Sequence, residues 1–346
     1  MPLVSVIIPC RDAAPRIVEC LSSVVAQRDA DTEIILVDDH SLDDGISRAC
    51  EIMRSVKRPV KVLDGGGRGV SHARNLGLAS AQGDFIQWLD ADDVLPEASK
   101  LALQIAAINS EPSALAVSDY AWMDVDIHPQ RFRPAPVQFS QDVLLDTLLG
   151  TMPQLGAFLF PRVLANRLAA LGGFDETTVL GEDREYITLA AMLGGRFIHV
   201  PIVGVLYMQW SKVQLSRRVS AFERGAMMAR VFERLTRHAA SLDVQLSEVH
   251  RYLLTQDWSP HRWAIKELLR EPWWKPAARL ESGAVVALSP IESVLAESRG
   301  LDPHSNSLEA LARGACEVFP QLGYRLLAAR RSIDGLCRRG VIERVQ

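Results

Sequence analysis

The chain is poor in cysteine, and its five (Cys10, Cys20, Cys50, Cys316, Cys337) are scattered with no C-x-x-C pair. That spacing argues against a zinc site or a disulfide framework and fits a reducing, cytoplasmic setting. Long apolar runs are missing as well. No stretch reaches the roughly 18 apolar residues that a membrane-crossing helix needs. The opening MPLVSVIIPC has no basic start and breaks at Pro9, so it does not read as a signal peptide. Nor is there a surplus of one charge. Lys and Arg number 38 against 42 Asp and Glu, a net charge of −4 that gives no electrostatic reason to expect a nucleic-acid partner. The dinucleotide fingerprint G-x-G-x-x-G fails in the one stretch laid out for it, DGGGRGVSHARN. Its third glycine would fall on Val70 counted from Gly65, or on His72 counted from Gly67. No internal repeat is visible.

What remains is an ordinary globular composition, 48% apolar and 23% charged, in a chain of 346 residues, long enough for two domains. LVSVIIP (3–9) and TEIILVDD (32–39) are short, β-branched and almost continuously apolar, as strands buried on both faces are. Between them, residues 14–27 carry Ile17, Leu21, Val24 and Val25 at helical spacing. A helix at about 43–55, a strand at 59–64, a helix at 69–83 and a strand at 84–90 continue the alternation. This order predicts a parallel α/β sheet with ligands at the carboxyl ends of its strands. Further on, the pattern predicts helices at 96–108, 141–150 and 181–195, and extended segments at 114–124, 155–162 and 196–210. Residues 125–140, with three prolines, read as a loop or edge. From about 216 the periodicity is helical, with clustered tryptophans, so a boundary is expected at 215–220.

Acids gather at the predicted strand ends. In WLDADD, Asp90 and Asp92 are two positions apart and can share one face, where a divalent cation would relieve their repulsion. Hard oxygen ligands of this kind suit Mg2+ or Mn2+, which take one or two carboxylates and complete their shell with phosphates and water. Taken alone the pair also reads as a solvated turn, with Asp93 capping the next helix. Asp38 and Asp39 fall on the same rim and suit a nucleobase or ribose, or an Asx-turn. Arg68 and Arg74 can meet phosphate, hold the acidic rim, or lie solvated.

Together these segments resemble the family 2 glycosyltransferases of GT-A fold, a Rossmann-like nucleotide-diphospho-sugar transferase architecture. SVIIPCRDAAPRIVECLSSVVAQ resembles that family's opening strand and helix. EIILVDDHSLDDG resembles its acidic nucleotide turn, and GVSHARNLGLASAQGDFIQWLDADD its A-R-N-x-G and D-x-D segment. LAALGGFDETTVLGEDREYITLAAMLGG resembles its G-G-F-D-E and E-D region. The likeness runs in order from about 3 to 215, making 1–215 the expected catalytic domain and 216–346 a mainly helical extension.

The resemblance implies that Pro9, Arg11 and Asp12, with Asp38 and Asp39, line a uridine pocket. It makes Asp92 the main metal ligand and lets Asp90 face ribose or metal. Arg74 and Asn75 would steady the diphosphate or the acidic rim. Asp183 would be the catalytic base, beside Glu182. The implied reaction is an inverting transfer from a nucleotide-sugar donor, a UDP-sugar, to a glycan or lipid-linked acceptor.

Two positions depart from the pattern. Arg11 stands where members often have an aromatic, and Lys212 where a histidine usually comes five residues after the tyrosine at 207. A protonated lysine cannot ligate a metal but can meet a phosphate. In the C-terminal part, Trp258, Trp263, Trp273 and Trp274, interleaved with Arg and Lys, suit a membrane interface or, the favoured reading, helix packing against the catalytic domain or a second subunit. The tail from Tyr324 carries six arginines against two acids, which suits peripheral contact with an anionic inner membrane face. The alternatives are a non-catalytic nucleotide-sugar-binding or scaffold protein of the same fold, and a nicotinamide-dependent oxidoreductase, which the failed fingerprint disfavours.

Overall fold

The computed structural model describes residues 1–254, apart from 55–58, 109–110, 112, 126–130, 151, 210–220, 248–249 and 252–253. Lys212, the four C-terminal tryptophans and the arginine-rich tail lie outside the described residues. The chain divides into two units, residues 1–139 with 150–242, and residues 140–149 with 243–346.

The first unit is built on an eight-stranded mixed sheet. Strands β1 (Leu3–Cys10), β2 (Asp31–Asp38), β3 (Val60–Asp64) and β4 (Phe85–Trp88) alternate with helices α1 (Ile17–Val25), α2 (Gly45–Arg54) and α3 (Val70–Ser80). β1 lies parallel to β2 and β4, and β2 to β3, so the carboxyl ends of all four strands form one rim. Helix α4 (Lys100–Ile108) leads into β5 (Ala114–Asp124) and β6 (Arg131–Ala135). β7 (Phe158–Pro161) comes next and runs antiparallel to both β4 and β5, joining the parallel half to the rest. β6 is antiparallel to β5, and β8 (Arg196–Gln209) is parallel to it. Helices α6 (Arg162–Ala170) and α7 (Glu182–Met192) lie between β7 and β8. The 21-residue helix α8 (Ala221–Ser241) comes after β8. Helix α5 (Val143–Leu149) belongs to the second unit, where Asp142 and His250 approach to 2.9 Å.

The β-branched runs become the core because both faces of their strands are covered. Val6, Ile7, Ile8, Ile34, Ile35 and Leu36 are wholly buried. α1 buries Ile17, Cys20, Leu21 and Val24, the spacing of a single helical face. α3 sits directly on β1, and a methyl group at Gly77 would come within 2.3 Å of the Ile7 side chain. Glycine there lets the helix carrying Arg74 lie close to the sheet. The 125–140 segment resolves into an edge strand, β6, within its described residues.

The helix expected at 96–108 begins only at Lys100. The residues before it are drawn toward β8, where Val94 and Leu206 exchange two main-chain hydrogen bonds of 3.2 and 2.8 Å. Asp93 therefore does not cap α4. It is buried, and its Oδ1 accepts the Met208 amide at 3.2 Å. Among the described residues, no helix is long and apolar enough to cross a membrane.

Candidate functional site

The rim begins at the end of β1. Pro9 is buried inside the strand, and the Cys10 carbonyl accepts the Asp39 amide at 2.8 Å, which binds the β1 and β2 exits together. Asp12 sits at a φ of 48°, a left-handed conformation that Asp tolerates better than most residues. Its Oδ1 accepts the Leu42 amide at 2.8 Å, and its own amide donates to Ser41 Oγ at 3.2 Å. Asp38 accepts the Ser41 amide at 2.9 Å. Asp39 is buried, and its two oxygens accept the Gly69 amide at 3.0 and 3.1 Å, with Arg11 Nη1 at 3.4 Å. The β2 turn is thus a set of carboxylates tied down by main-chain amides, and the glycine-rich loop before α3 is anchored to it.

The β4 exit is built differently. Arg74 projects from α3 with only 5% of its side chain exposed. Its Nη2 donates to Asp90 Oδ1 at 2.8 Å and its Nη1 to Glu182 Oε1 at 2.9 Å. Its guanidinium also lies over the Phe174 ring, 5.3 Å from the centroid. One cation therefore joins the D-x-D segment to the first residue of α7. Desolvation opposes its charge, but Asp90, Glu182 and Asp183 outweigh that and hold it firmly protonated.

The acids around Arg74 remain crowded. Asp92 has 30% of its side chain exposed, and its Oδ2 lies 3.6 Å from Arg16 Nη1. Burial and the neighbouring Asp90 push its carboxyl up to about 6 despite Arg16. Burial, Asp92 and Asp90 raise Asp93 as well. Glu182 is pushed up to about 7 by burial and Asp183, with Arg74 opposing.

Asp183 occupies the first turn of α7, and Gly181, at a φ of 91°, is the residue before the helix. Asp183 is therefore not the helix cap, although its Oδ1 accepts the following amide of Arg184 at 2.7 Å. Below this turn lies an aromatic cluster. Phe174 stacks on Tyr186 at 4.0 Å, and Trp88 meets both edge-on at 5.0 and 5.8 Å. WLDADD and GEDREY are in this way packed through one buried group of rings.

Asp90, Asp92, Arg74 and Glu182 come together, with Asp183 next in the chain. Pro9, Arg11, Asp12, Asp38 and Asp39 form the β1–β2 part of the rim. Asn75 and Arg68 are placed on the loop 171–181 instead of a rim carboxylate. The Asn75 amide accepts the Phe174 N–H at 2.9 Å and donates to the Phe174 carbonyl at 2.8 Å. Arg68 Nη2 donates to Glu176 Oε2 at 2.7 Å. Sequence reasoning passed over Arg16, His72 and Glu176. His72 Nδ1 lies 3.1 Å from Glu176 Oε1, and helical spacing alone relates His72 to Arg68 and Asn75.

As a place for a cation, the β4 exit offers Asp90 and Asp92, both carboxylates, each with one oxygen facing a guanidinium. No group of three His, Cys, Asp or Glu among the described residues is arranged to hold a metal ion. Two mutually repelling carboxylates suit Mg2+ or Mn2+ completed by phosphates and water, not a cation caged by protein alone. The donor set fits such a group.

Residues 5–165 match the model of the family described as Glycosyl transferase family 2. An uncharacterized glycosyltransferase of Haemophilus influenzae is 32% identical over 126 residues, 36% of this chain and 50% of that protein. The chain thus spans about half the length of that curated relative. Among solved structures, S. aureus TarS 1-349 in complex with UDP-GlcNAc has a TM-score of 0.60 at 17% identity. That match covers 100% of this chain and 97% of the other. The mannosyltransferase PcManGT of Pyrobaculum calidifontis, in complex with GDP-Man and Mn2+, has a TM-score of 0.54 at 21% identity, covering 95% and 86%. Residues 5–165 are thus similar to a glycosyl transferase family 2 domain, and the chain shares the fold of solved GT-A glycosyltransferases.

Proposed function

We propose that this chain is an inverting glycosyltransferase that moves a sugar from a nucleotide-diphosphate donor, a UDP-sugar, to a hydroxyl of a glycan or lipid-linked acceptor. The observation that carries the reading is the Arg74 bridge, which sets a donor-side acid pair and an acceptor-side acid pair at one site. An inverting displacement needs both: a stabiliser for the departing diphosphate and a separate base for the incoming hydroxyl.

In this reading the exits of β1 and β2 receive the nucleoside, with Arg11 offering a guanidinium face where an aromatic would stack. Asp90 and Asp92 would hold Mg2+ or Mn2+, which supplies Lewis-acid neutralisation of the diphosphate when bound. Asp183 accepts the proton of the acceptor hydroxyl as its oxygen forms the new bond to the anomeric carbon. The bond from that carbon to the diphosphate oxygen breaks, and its electron pair leaves with the nucleotide. Glu182 stays against Arg74 and keeps the base turn in register with the donor rim. Residues 1–215, Lys212 included, are the catalytic part, and residues 216–346 extend it.

The deciding experiment is a thermal-shift screen of UDP- and GDP-sugars with and without Mn2+, followed by turnover of the best donor. A UDP-sugar that stabilises the protein only with Mn2+ supports donor and metal together. Asp92→Ala and Asp183→Ala should each lower transfer by about 100-fold or more, with Asp183→Ala still binding donor. Full transfer by Asp183→Ala would sink the base assignment. A protein that binds a donor but neither transfers nor hydrolyses it would point to a non-catalytic binding protein.

A further inference from the structure

The turn bearing Glu182 and Asp183 is held from below by a helix that lies beyond the family match. Arg234, on α8, has 16% of its side chain exposed. Its Nε donates to Glu185 Oε1 at 2.8 Å, and its Nη2 to Thr178 Oγ1 at 2.8 Å and to Glu185 Oε2. Its Nη1 pairs with Asp175 Oδ2. Thr178 in turn donates to Asp175 Oδ2 at 3.0 Å. The guanidinium therefore closes a ring whose members lie on both sides of the acid pair, Asp175 and Thr178 before it and Glu185 after it.

The surrounding contacts have the same direction. A methyl group at Gly181 would meet Met228 Sδ at 2.8 Å, so α8 is packed tightly under the residue that opens α7. The Arg184 guanidinium lies 5.0 Å from the centroid of the Phe232 ring, also on α8. Glu185 is almost wholly buried, and without Arg234 it would lose a bidentate partner in a low-dielectric place. On its other side the loop is gripped by Asn75, Arg68 and His72 of α3 and the residues just before it. Among the described residues Arg234 itself touches Asp175, Thr178 and Glu185 and none of the carboxylates at the β1, β2 and β4 exits.

We propose that Arg234 is a positioning residue for the Glu182–Asp183 pair, setting the height and angle of the α7 turn toward the acceptor through Asp175, Thr178 and Glu185. The assignment rests on the glycosyl-transfer reading above, and it makes α8 part of the catalytic apparatus. A fork that meets two carboxylates fixes direction as well as distance, which a point charge does not. A base displaced by a fraction of its hydrogen-bond length loses rate while the donor still binds.

The test uses the full chain carrying Arg234→Gln or Arg234→Lys. Arg234→Gln should lower kcat by about 10- to 100-fold at saturating donor, with the donor KM changed by less than about two-fold. Arg234→Lys should recover part of the loss, since an ammonium can meet one carboxylate but not both. Hydrogen exchange supplies a readout that needs no turnover. Amides of 172–185 should exchange faster in Arg234→Gln, while those of β1, β2 and β4 keep the wild-type rate. If Arg234→Gln does not fold, Asp175→Asn, which leaves the Glu185 contact in place, should show a smaller fall in kcat in the same direction.

An unchanged kcat, or a donor KM that worsens as much as kcat falls, overturns the proposal. So does unchanged exchange across 172–185. If wild-type protein turns over no donor, the glycosyl-transfer reading fails, and hydrogen exchange alone then decides whether Arg234 holds the turn.

Discussion

Two groups of acids stand on one rim and reach opposite electrostatic solutions. At the β2 exit, Asp38 and Asp39 accept main-chain amides from Ser41 and Gly69, and Arg11 adds a charge at the edge. Glu33, nearer the start of the same strand, also has main-chain donors. Burial acts to raise it, but Ser5, the amides of Gln82 and Gly83, and Lys61 together bring it below the usual carboxylate range. At the β4 exit Asp90 crowds Asp92 and both crowd Asp93, at the start of α7 Asp183 crowds Glu182, and Asp92, Asp93 and Glu182 are all raised. The lesson is one of division of labour. Acids supplied with backbone donors shape a loop in advance, whereas acids facing other acids keep charge that a proton, an arginine or a ligand must answer.

Breaking the crowded group at its centre should have the largest effect. Arg74→Ala leaves Asp90 and Glu182 without their shared cation and should cost about 3–5 kcal/mol in urea denaturation. A loss under about 1 kcal/mol would mean that solvent already relieves these acids. Next comes the amide-bound group. Asp39→Ala strands the Gly69 amide and frees Arg11, and should cost about 1–3 kcal/mol by thermal denaturation. A variant as stable as wild type would show that the loop holds itself.

The contrast sharpens further with pH. The Glu182 carboxyl is raised from 4.5 to about 7, so between those values the folded protein binds more protons than the unfolded one. Stability contributed by this group therefore falls as pH rises through that window. Glu182→Gln has no charge to bury, and should exceed wild type by on the order of 1–2 kcal/mol above pH 7, with the difference shrinking toward pH 4.5. Parallel pH profiles for the two proteins would refute the sign. The smallest effect belongs to the exposed edge. Arg68→Ala breaks the pair with Glu176, 61% and 34% exposed, and should cost under about 1 kcal/mol and vanish in high salt.

Much of the fold was legible because strand signals are local. A run such as VIIP or IILV is apolar on both faces, short and rich in β-branched residues, which suits a strand covered on both sides. The segments expected as strands at 3–9, 32–39, 59–64 and 84–90 are β1 to β4, and 114–124 is β5. The start of α4 was misplaced because pairing of Val94 with Leu206, more than a hundred residues away, overrides the local tendency toward helix. The alternative in which Asp93 caps the next helix fails for the same reason, since its partner is the distant Met208 amide. In the candidate site, acid positions could be read from motif order, but their partners could not. Asn75 resembles a rim residue in sequence, yet its amide is engaged by Phe174, a contact made only when α3 meets the loop 171–181.

By itself, then, the sequence determined that four strands would run parallel and that carboxylates would stand where they end, because chain periodicity and burial are settled within about ten residues. Which of those carboxylates share a cation was decided only in the tertiary structure. Arg74 reaches Asp90 and Glu182 because α3, β4 and α7 converge over the ring cluster of Trp88, Phe174 and Tyr186. Arg234 reaches Asp175 and Glu185 because α8 packs beneath α7. Ion pairs form across elements, and their strength depends on burial that no single segment carries.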